Sequence, residues 1–147
     1  MLMKTNLFLS LFLMLGTLLS GHRMGNRQTG VKIRIMVNGM VLMATLYDNE
    51  TARDFEKLLP LEVRMDDLFG REKYGALPRA LSTSGKRQDT FKVGEIGYWS
   101  PGTDVAIYYK QDHERIPSPG IIMIGSIDSG VEAVSYTHLT LPTTPYV

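Results

Sequence analysis

The feature of this sequence that most constrains its fold is an Asn-Gly pair between two runs of strand-forming residues. Residues 31–37 (VKIRIMV) alternate apolar and mostly polar side chains, which is the period of a half-buried strand. Asn38 and Gly39 follow at once, and both residue types tolerate the positive φ angles that a two-residue type I′ turn requires. Residues 40–47 then return with β-branched and aromatic side chains. The sequence therefore predicts an antiparallel hairpin over residues 31–47.

The rest of the chain predicts further short strands and little helix. Thr51 stands three residues before Asp54, the spacing of a helix N-terminal cap, and Ala52 and Phe55 begin a helical apolar spacing that ends at Pro60. Strands are expected over residues 61–65, 94–99, 104–110 and 121–124, a long irregular loop over residues 66–89, and a last short helix from residue 128. This pattern predicts a mostly-β barrel or sandwich.

The two ends of the chain differ in texture from the middle. Lys4 precedes an apolar run over residues 7–15, so residues 1–21 are expected to be an export signal peptide. An uncleaved N-terminal anchor is the alternative, because Leu18 and Leu19 suit a cleavage site poorly. Residues 22–30 are interpreted as a flexible lead-in. Residues 134–147 begin VSYTHLTLPT, which resembles a translated sequencing adapter, with a genuine β-prone tail as the alternative. The domain is then expected over residues 31–133.

Charge and cysteine content exclude several classes of function. The 147 residues hold 16 Lys and Arg against 15 Asp and Glu, and this balance argues against a nucleic-acid partner. The sequence has no cysteine, which excludes disulfides, thiolate zinc sites and a thiol nucleophile. Asp112, His113 and Glu114 are the one dense group of potential metal ligands. Consecutive residues of an extended segment point to alternating sides and chelate poorly, so we expect no metal and no cofactor.

Five residues are the candidate ligand-binding positions. Arg53 on the expected helix and Arg79 after Leu77-Pro78 are cations that could meet a ligand, although a solvated arginine covering apolar surface is the simpler interpretation. Tyr98, Trp99 and Tyr109 lie on neighbouring strands together with Tyr108. Alternation sends one residue of each adjacent pair inward and the other outward, so an outward ring could form a ligand or peptide platform, although packing in the core is the simpler interpretation.

Five segments together resemble the bacterial cyclophilin-like domain family: KIRIMVNGMVLMATLY (residues 32–47), DNETARDFEKLLPLEV (48–63), YGALPRAL (74–81), GEIGYWSPGTDVAIYYK (94–110) and GSIDSGVEA (125–133). The resemblance implies a small closed or nearly closed β-barrel with one or two short helices. It also implies a final strand after residue 133, whose place the adapter-like tail occupies, so the last strand is expected to be missing and an edge of the barrel to be open.

The resemblance assigns no activity. Cyclophilins proper carry a Phe-Met-x-Gln-Gly-Gly run and a Phe-His-Arg segment, and this sequence has neither. Because fold alone does not carry function, we expect an exported binding or accessory module for a peptide or a small ligand. A prolyl cis/trans isomerase with a non-standard active site is the alternative. Contact with a membrane is expected only through an uncleaved N-terminal segment.

Overall fold

The computed structural model of the chain describes the backbone of residues 4–9 and all of residues 30–136. In this part of the chain, twelve elements follow one another: β1 (Lys4–Leu9), β2 (Lys32–Val37), β3 (Met40–Leu46), α1 (Glu50–Glu56), β4 (Leu61–Arg64), β5 (Asp66–Leu68), β6 (Glu72–Ala76), β7 (Arg87–Gln88), β8 (Glu95–Trp99), β9 (Asp104–Tyr108), β10 (Ile121–Ile127) and α2 (Glu132–Ser135). The mostly-β prediction is confirmed. None of the described helices is long and apolar enough to cross a bilayer.

The predicted hairpin is present as β2 and β3. Asn38 and Gly39 have φ angles of +50° and +78°, the left-handed conformation that the tight turn requires. The register pairs Val37 with Met40 directly across the turn and Lys32 with Thr45 at the far end. Local sequence chemistry therefore fixed both the turn and the register of this part of the sheet.

The strands form one curled sheet that nearly closes on itself. Its order is β4, β1, β2, β3, β10, β8, β9, β6, β5, with β7 added beside β10. The two ends of this order, β4 and β5, are separated in sequence by Met65 alone, so the chain itself links the two margins. Gly75 on β6 lies against β4. A Cβ atom at this position would collide with the backbone carbonyl of Arg64 and would lie 2.6 Å from Cγ1 of Val63. The absence of a side chain at Gly75 allows this close approach.

Apolar side chains pack on both faces of this sheet. The main core fills the inside of the curl and contains Ile33, Phe55 and Tyr98, each almost completely buried. A second cluster lies on the outer face and contains Tyr108 and Ile121 together with Phe91, Ala106, Ile116 and Met123. The outer cluster is the part of the fold that positions the candidate site.

Two local predictions were wrong. The cap of α1 is Asn49 rather than Thr51: the Asn49 side chain accepts a hydrogen bond from the amide of Ala52 at 2.8 Å and donates another to the carbonyl of Met123. Thr51 is instead inside the helix and completely buried, and its hydroxyl donates to the carbonyl of Ser82 at 2.7 Å. Tertiary contacts thus decided which of two cap-forming residues begins the helix.

The second error concerns residues 66–89, which were expected to form one irregular loop. They contain the β5–β6 hairpin and the short strand β7. The hairpin turns at Phe69 and Gly70, both with positive φ, and the Asp67 carboxylate accepts a hydrogen bond from the amide of Gly70 at 2.9 Å. Charged residues along β6 hid the strand, because their burial rests on ion pairs that a sequence pattern does not show.

The signal peptide, the flexible lead-in and the adapter-like tail were predicted at the ends of the chain, and the structure does not test these three predictions. Strand β1 lies between β2 and β4, antiparallel to both, and belongs to the segment predicted as a signal peptide. Most of residues 1–21, the lead-in up to residue 29 and the tail from residue 137 lie outside the described residues. Val134, the first residue of the adapter-like segment, is buried in α2. Among described residues, no strand follows α2.

Candidate functional site

A cavity of about 260 Å³ lies on the outer face of the sheet, where the segment after β9 crosses the strands. Its lining is mostly apolar and aromatic, with three charged residues among the lining side chains: Leu68, Phe69, Arg71, Glu72, Tyr74, Trp99, Asp104, Ala106, Tyr108, Ile116, Pro117 and Ile121. We call it the aromatic cavity. A concave apolar site with a few polar groups is the usual form of a small-molecule pocket.

Strand alternation explains why these side chains meet. On β9, Asp104, Ala106 and Tyr108 point to the outer face, while Val105 and Ile107 enter the main core. The antiparallel register places Tyr74 of β6 opposite Ala106 and Trp99 of β8 opposite Asp104. The period of two therefore gathers one face of three strands into the floor of the aromatic cavity.

One wall of the cavity is built around a buried arginine. The side chain of Arg71 is only 5% exposed, and its Nε lies 3.0 Å from Oε2 of Glu72. Its Nη1 lies 3.3 Å from Oδ2 of Asp112, which comes from the crossing segment. The guanidinium also lies between two rings, 5.4 Å from the centroid of Phe69 and 5.3 Å from that of Phe91. Two carboxylates and two rings thus satisfy this cation.

The electrostatics of the wall follow from burial. Burial raises the pKa of the Glu72 carboxyl, and the ion pair with Arg71 offsets only part of that effect. Burial also raises the pKa of Tyr108, whose ring stacks on Phe91 at a centroid distance of 4.2 Å. Asp104 at the other side of the cavity has its pKa raised by burial alone. The cavity therefore holds charges in surroundings that strengthen any interaction with a ligand.

The two arginines selected from sequence lie elsewhere. Arg53 is half exposed on α1 and pairs with the exposed Asp48 at 2.6 Å. Arg79 is also half exposed, and it bonds to Asp54 at 3.1 Å, where it holds the loop after β6 against α1. Neither lines the aromatic cavity. Their predicted role in ligand binding stays untested; each forms an ion pair near the surface, and Arg79 also donates to the carbonyls of Asp54 and Ala80.

The three aromatic candidates divide as the alternation predicted. Trp99 is half buried and lines the cavity. Tyr98 is 1% exposed in the main core, where its hydroxyl accepts a hydrogen bond from the amide of Leu81 at 3.1 Å. Tyr109 lies against the buried Lys73, and its hydroxyl donates to Asp67. Of these three, the structure brings Trp99 alone to the cavity.

The sequence interpretation missed Arg71, Glu72 and Asp104. Arg71 and Glu72 fell in the segment expected to be a loop, and Asp104 was taken only as the first residue of a strand. An available signal was the pattern Asp67-x-x-Gly70, which marks a hairpin turn and predicts a strand on each side. Asp112, His113 and Glu114 follow β9 in the crossing segment, and no group of acidic or histidine side chains among the described residues is arranged to hold a metal ion.

Comparison with known proteins agrees with the fold. The solution structure of the hypothetical protein AF2241 from Archaeoglobus fulgidus is similar, with a TM-score of 0.56 and 23% identity over 71% of this chain and 84% of that one. At this identity the similarity shows the fold alone. No curated protein matches the chain. The model of the cyclophilin-like family matches residues 35–141, which includes β3 to α2 and every residue lining the aromatic cavity. The chain therefore belongs to the cyclophilin-like family.

Proposed function

We propose that this cyclophilin-like domain is a binding module that takes a small organic ligand, or a side chain of a peptide, in the aromatic cavity. The observation that carries the proposal is the cavity itself: about 260 Å³ of space bounded largely by aromatic and aliphatic side chains, on the face of the sheet opposite the main core. Rings and aliphatic side chains exclude water from a ligand, and a small number of polar groups orient it.

The single tryptophan of the chain provides a direct test, because Trp99 lines the cavity. Titration with a small aromatic compound such as benzyl alcohol is expected to change the Trp99 fluorescence in a saturable way. Ala106→Leu adds volume to the floor of the cavity and is expected to weaken binding at least about tenfold.

The control for this test is Val41→Leu, since Val41 is 56% exposed on β3 and does not line the cavity. Thermal unfolding of both variants establishes that each is folded. Unchanged binding by the Ala106→Leu variant, or no saturable response from the unmodified protein, contradicts the proposal.

Prolyl isomerisation is the second candidate function, and the observation that favours it is a guanidinium in the wall of an apolar cavity; to act, Arg71 would have to exchange a contact with Glu72 or Asp112 for one with the substrate amide. This reaction needs no covalent step, so a pocket and one placed cation can stabilise the twisted amide. The test is acceleration of cis/trans exchange in a proline peptide. Arg71→Lys is expected to abolish acceleration, while Arg53→Ala and Arg79→Ala, which lie outside the cavity, leave it unchanged. No acceleration by the unmodified protein rules this function out.

Export of the domain is also part of the proposal. Its support is the sequence of residues 1–21, in which Lys4 precedes an apolar run and small residues follow. Cell fractionation combined with the mass of the mature chain tests it. Recovery of the full-length chain in the cytoplasm contradicts export, and a full-length chain in the membrane fraction identifies the uncleaved anchor.

A further inference from the structure

Asp104 is the charged residue of the aromatic cavity that the fold leaves without a partner. It is half buried at the start of β9, and no hydrogen bond or ion pair to its carboxylate is found within the described residues. Burial is the cause that raises its pKa, and no neighbouring cation lowers it. An uncompensated carboxylate in an apolar wall is costly to the free protein, and a ligand can remove that cost.

The other charges in the wall are already paired. Arg71 is the one basic residue among the described residues that line the cavity, and it is held by Glu72 and by Asp112. With Asp112 included, one cation faces three carboxylates, so this region carries an excess of negative charge, and Asp104 is the carboxylate among them that has no ion pair. An anionic ligand would meet this excess and would find the guanidinium already occupied.

The carboxylate of Asp104 and the indole of Trp99 both lie next to Gly102. The two residues are register partners across β8 and β9. Gly102 is in the turn between these strands. A Cβ atom at this position would collide with Oδ2 of Asp104 and would lie 3.4 Å from Cδ1 of Trp99. A carboxylate beside an aromatic ring attracts a positive charge in two ways, by charge pairing and by the ring quadrupole.

Tyr108, on the same strand as Asp104, brings a hydroxyl-bearing ring to the lining. The Tyr108 hydroxyl has no hydrogen-bond partner among the described residues. Every fully buried side-chain oxygen or nitrogen in this part of the chain does have a hydrogen-bond partner, so the Tyr108 hydroxyl is not fully buried. The hydroxyl therefore keeps some exposed surface, and Tyr108 is one of the residues that line the cavity. Ile116 and Ile121 add apolar side chains to the lining.

From these contacts we infer that the ligand of the aromatic cavity is an organic cation, an ammonium or guanidinium group on an apolar stem. This inference rests on the proposed binding function. The charge lies against Asp104 and Trp99, and the stem lies along Ile116 and Ile121. Both a free amine and the side chain of a lysine or arginine in a peptide have this chemistry.

The test compares matched ligands by isothermal titration calorimetry and Trp99 fluorescence. Benzylamine, protonated at neutral pH, and benzyl alcohol have nearly the same shape and differ in charge. We expect benzylamine to bind at least about tenfold more tightly, as a charge-assisted contact predicts. A capped lysine tripeptide and its norleucine analogue distinguish a peptide side chain from a free amine as the source of the cation.

Asp104→Asn keeps the shape of the side chain and removes its charge. The variant is expected to lose the tenfold preference for benzylamine while its affinity for benzyl alcohol stays unchanged. Asp89→Asn is the control, because Asp89 is half exposed, pairs with Arg115 and does not line the cavity. Equal affinity for the amine and the alcohol in the unmodified protein overturns the inference and leaves the binding function standing. Failure of every ligand to bind overturns both.

Discussion

Replacement of the buried arginine in the cavity wall tests how the wall is held together. Arg71→Met keeps an unbranched apolar stem but removes the cation from between two carboxylates. The side chains of Arg71 and Glu72 are 5% and 8% exposed, so the carboxylate left behind has little access to water. Loss of one partner from a buried ion pair costs about 3–5 kcal/mol. At about 4 °C per kcal/mol for a domain of this size, we expect the melting temperature to fall by about 12–20 °C.

The matched control is Arg115→Met. Arg115 pairs with Asp89 at 2.7 Å, a shorter distance than either Arg71 ion pair, but the two side chains are 72% and 52% exposed. Exposed ion pairs contribute about 0–1 kcal/mol, so we expect a loss of stability of that size for Arg115→Met. Because both variants replace arginine by methionine, the comparison isolates the effect of burial. Urea unfolding followed by circular dichroism gives the free energy of unfolding for each.

The pH dependence of the Arg71→Met variant gives a second measurement. Without Arg71, burial acts unopposed and raises the folded-state pKa of Glu72 above its ordinary value of 4.5. A carboxyl group whose pKa is raised in the folded state destabilises the fold when it is ionised, at pH values above that pKa. The destabilisation decreases as the pH falls through the raised pKa and the carboxyl group becomes protonated. The loss of stability is therefore expected to shrink as the pH is lowered from neutral. A cost within about 1 kcal/mol of the Arg115→Met control, or a cost that grows on acidification, refutes the buried ion-pair reasoning.

Three further predictions concern the frame around the site. Gly75→Ala places a methyl group against the carbonyl of Arg64, and we expect a loss of about 1–3 kcal/mol in urea unfolding; an unchanged midpoint contradicts the close approach. The pKa of Asp54 is lowered by Arg79 and the amide of Ser82, so its stabilisation is lost as pH falls through that lowered pKa. In the Asp54→Asn variant, the free energy of unfolding is therefore expected to fall less steeply on acidification than in the unmodified protein. The same pH dependence in both proteins contradicts this prediction. A chain beginning at residue 30 lacks β1, which exposes one edge of β2 and leaves β4 without its partner, so light scattering should detect association; a stable monomer shows that β1 is dispensable.

Sequence patterns predicted the structure correctly where neighbouring residues alone restrict the backbone conformation. The positive φ angles of Asn38 and Gly39 were predictable because few residue types adopt them, and the alternation of β2 follows from the same hairpin. The alternation of β8 likewise predicted that Tyr98 and Trp99 face opposite sides. These predictions depend on neighbours in sequence, so no knowledge of distant contacts is needed.

Predictions failed where a distant residue changes the meaning of a local pattern. Thr51 has the spacing of a cap, yet the carbonyl of Ser82 takes its hydroxyl and Asn49 caps the helix. Arg71 and Glu72 were placed in an irregular loop, because their burial depends on each other and on Asp112, 41 positions from Arg71. Burial of a charge is a property of the pair, and a pattern of single residues does not contain it.

The sequence alone determined a mostly-β domain with a fixed first hairpin and a resemblance to the cyclophilin-like family, because turn chemistry and side-chain alternation act over a few residues. Tertiary structure decided the site. Trp99, Asp104, Tyr108 and Arg71 meet only because β6, β8 and β9 lie side by side and the segment after β9 crosses their outer face. Which carboxylate is paired and which is left for a ligand depends on distances between elements far apart in sequence, and those distances exist only in the folded chain.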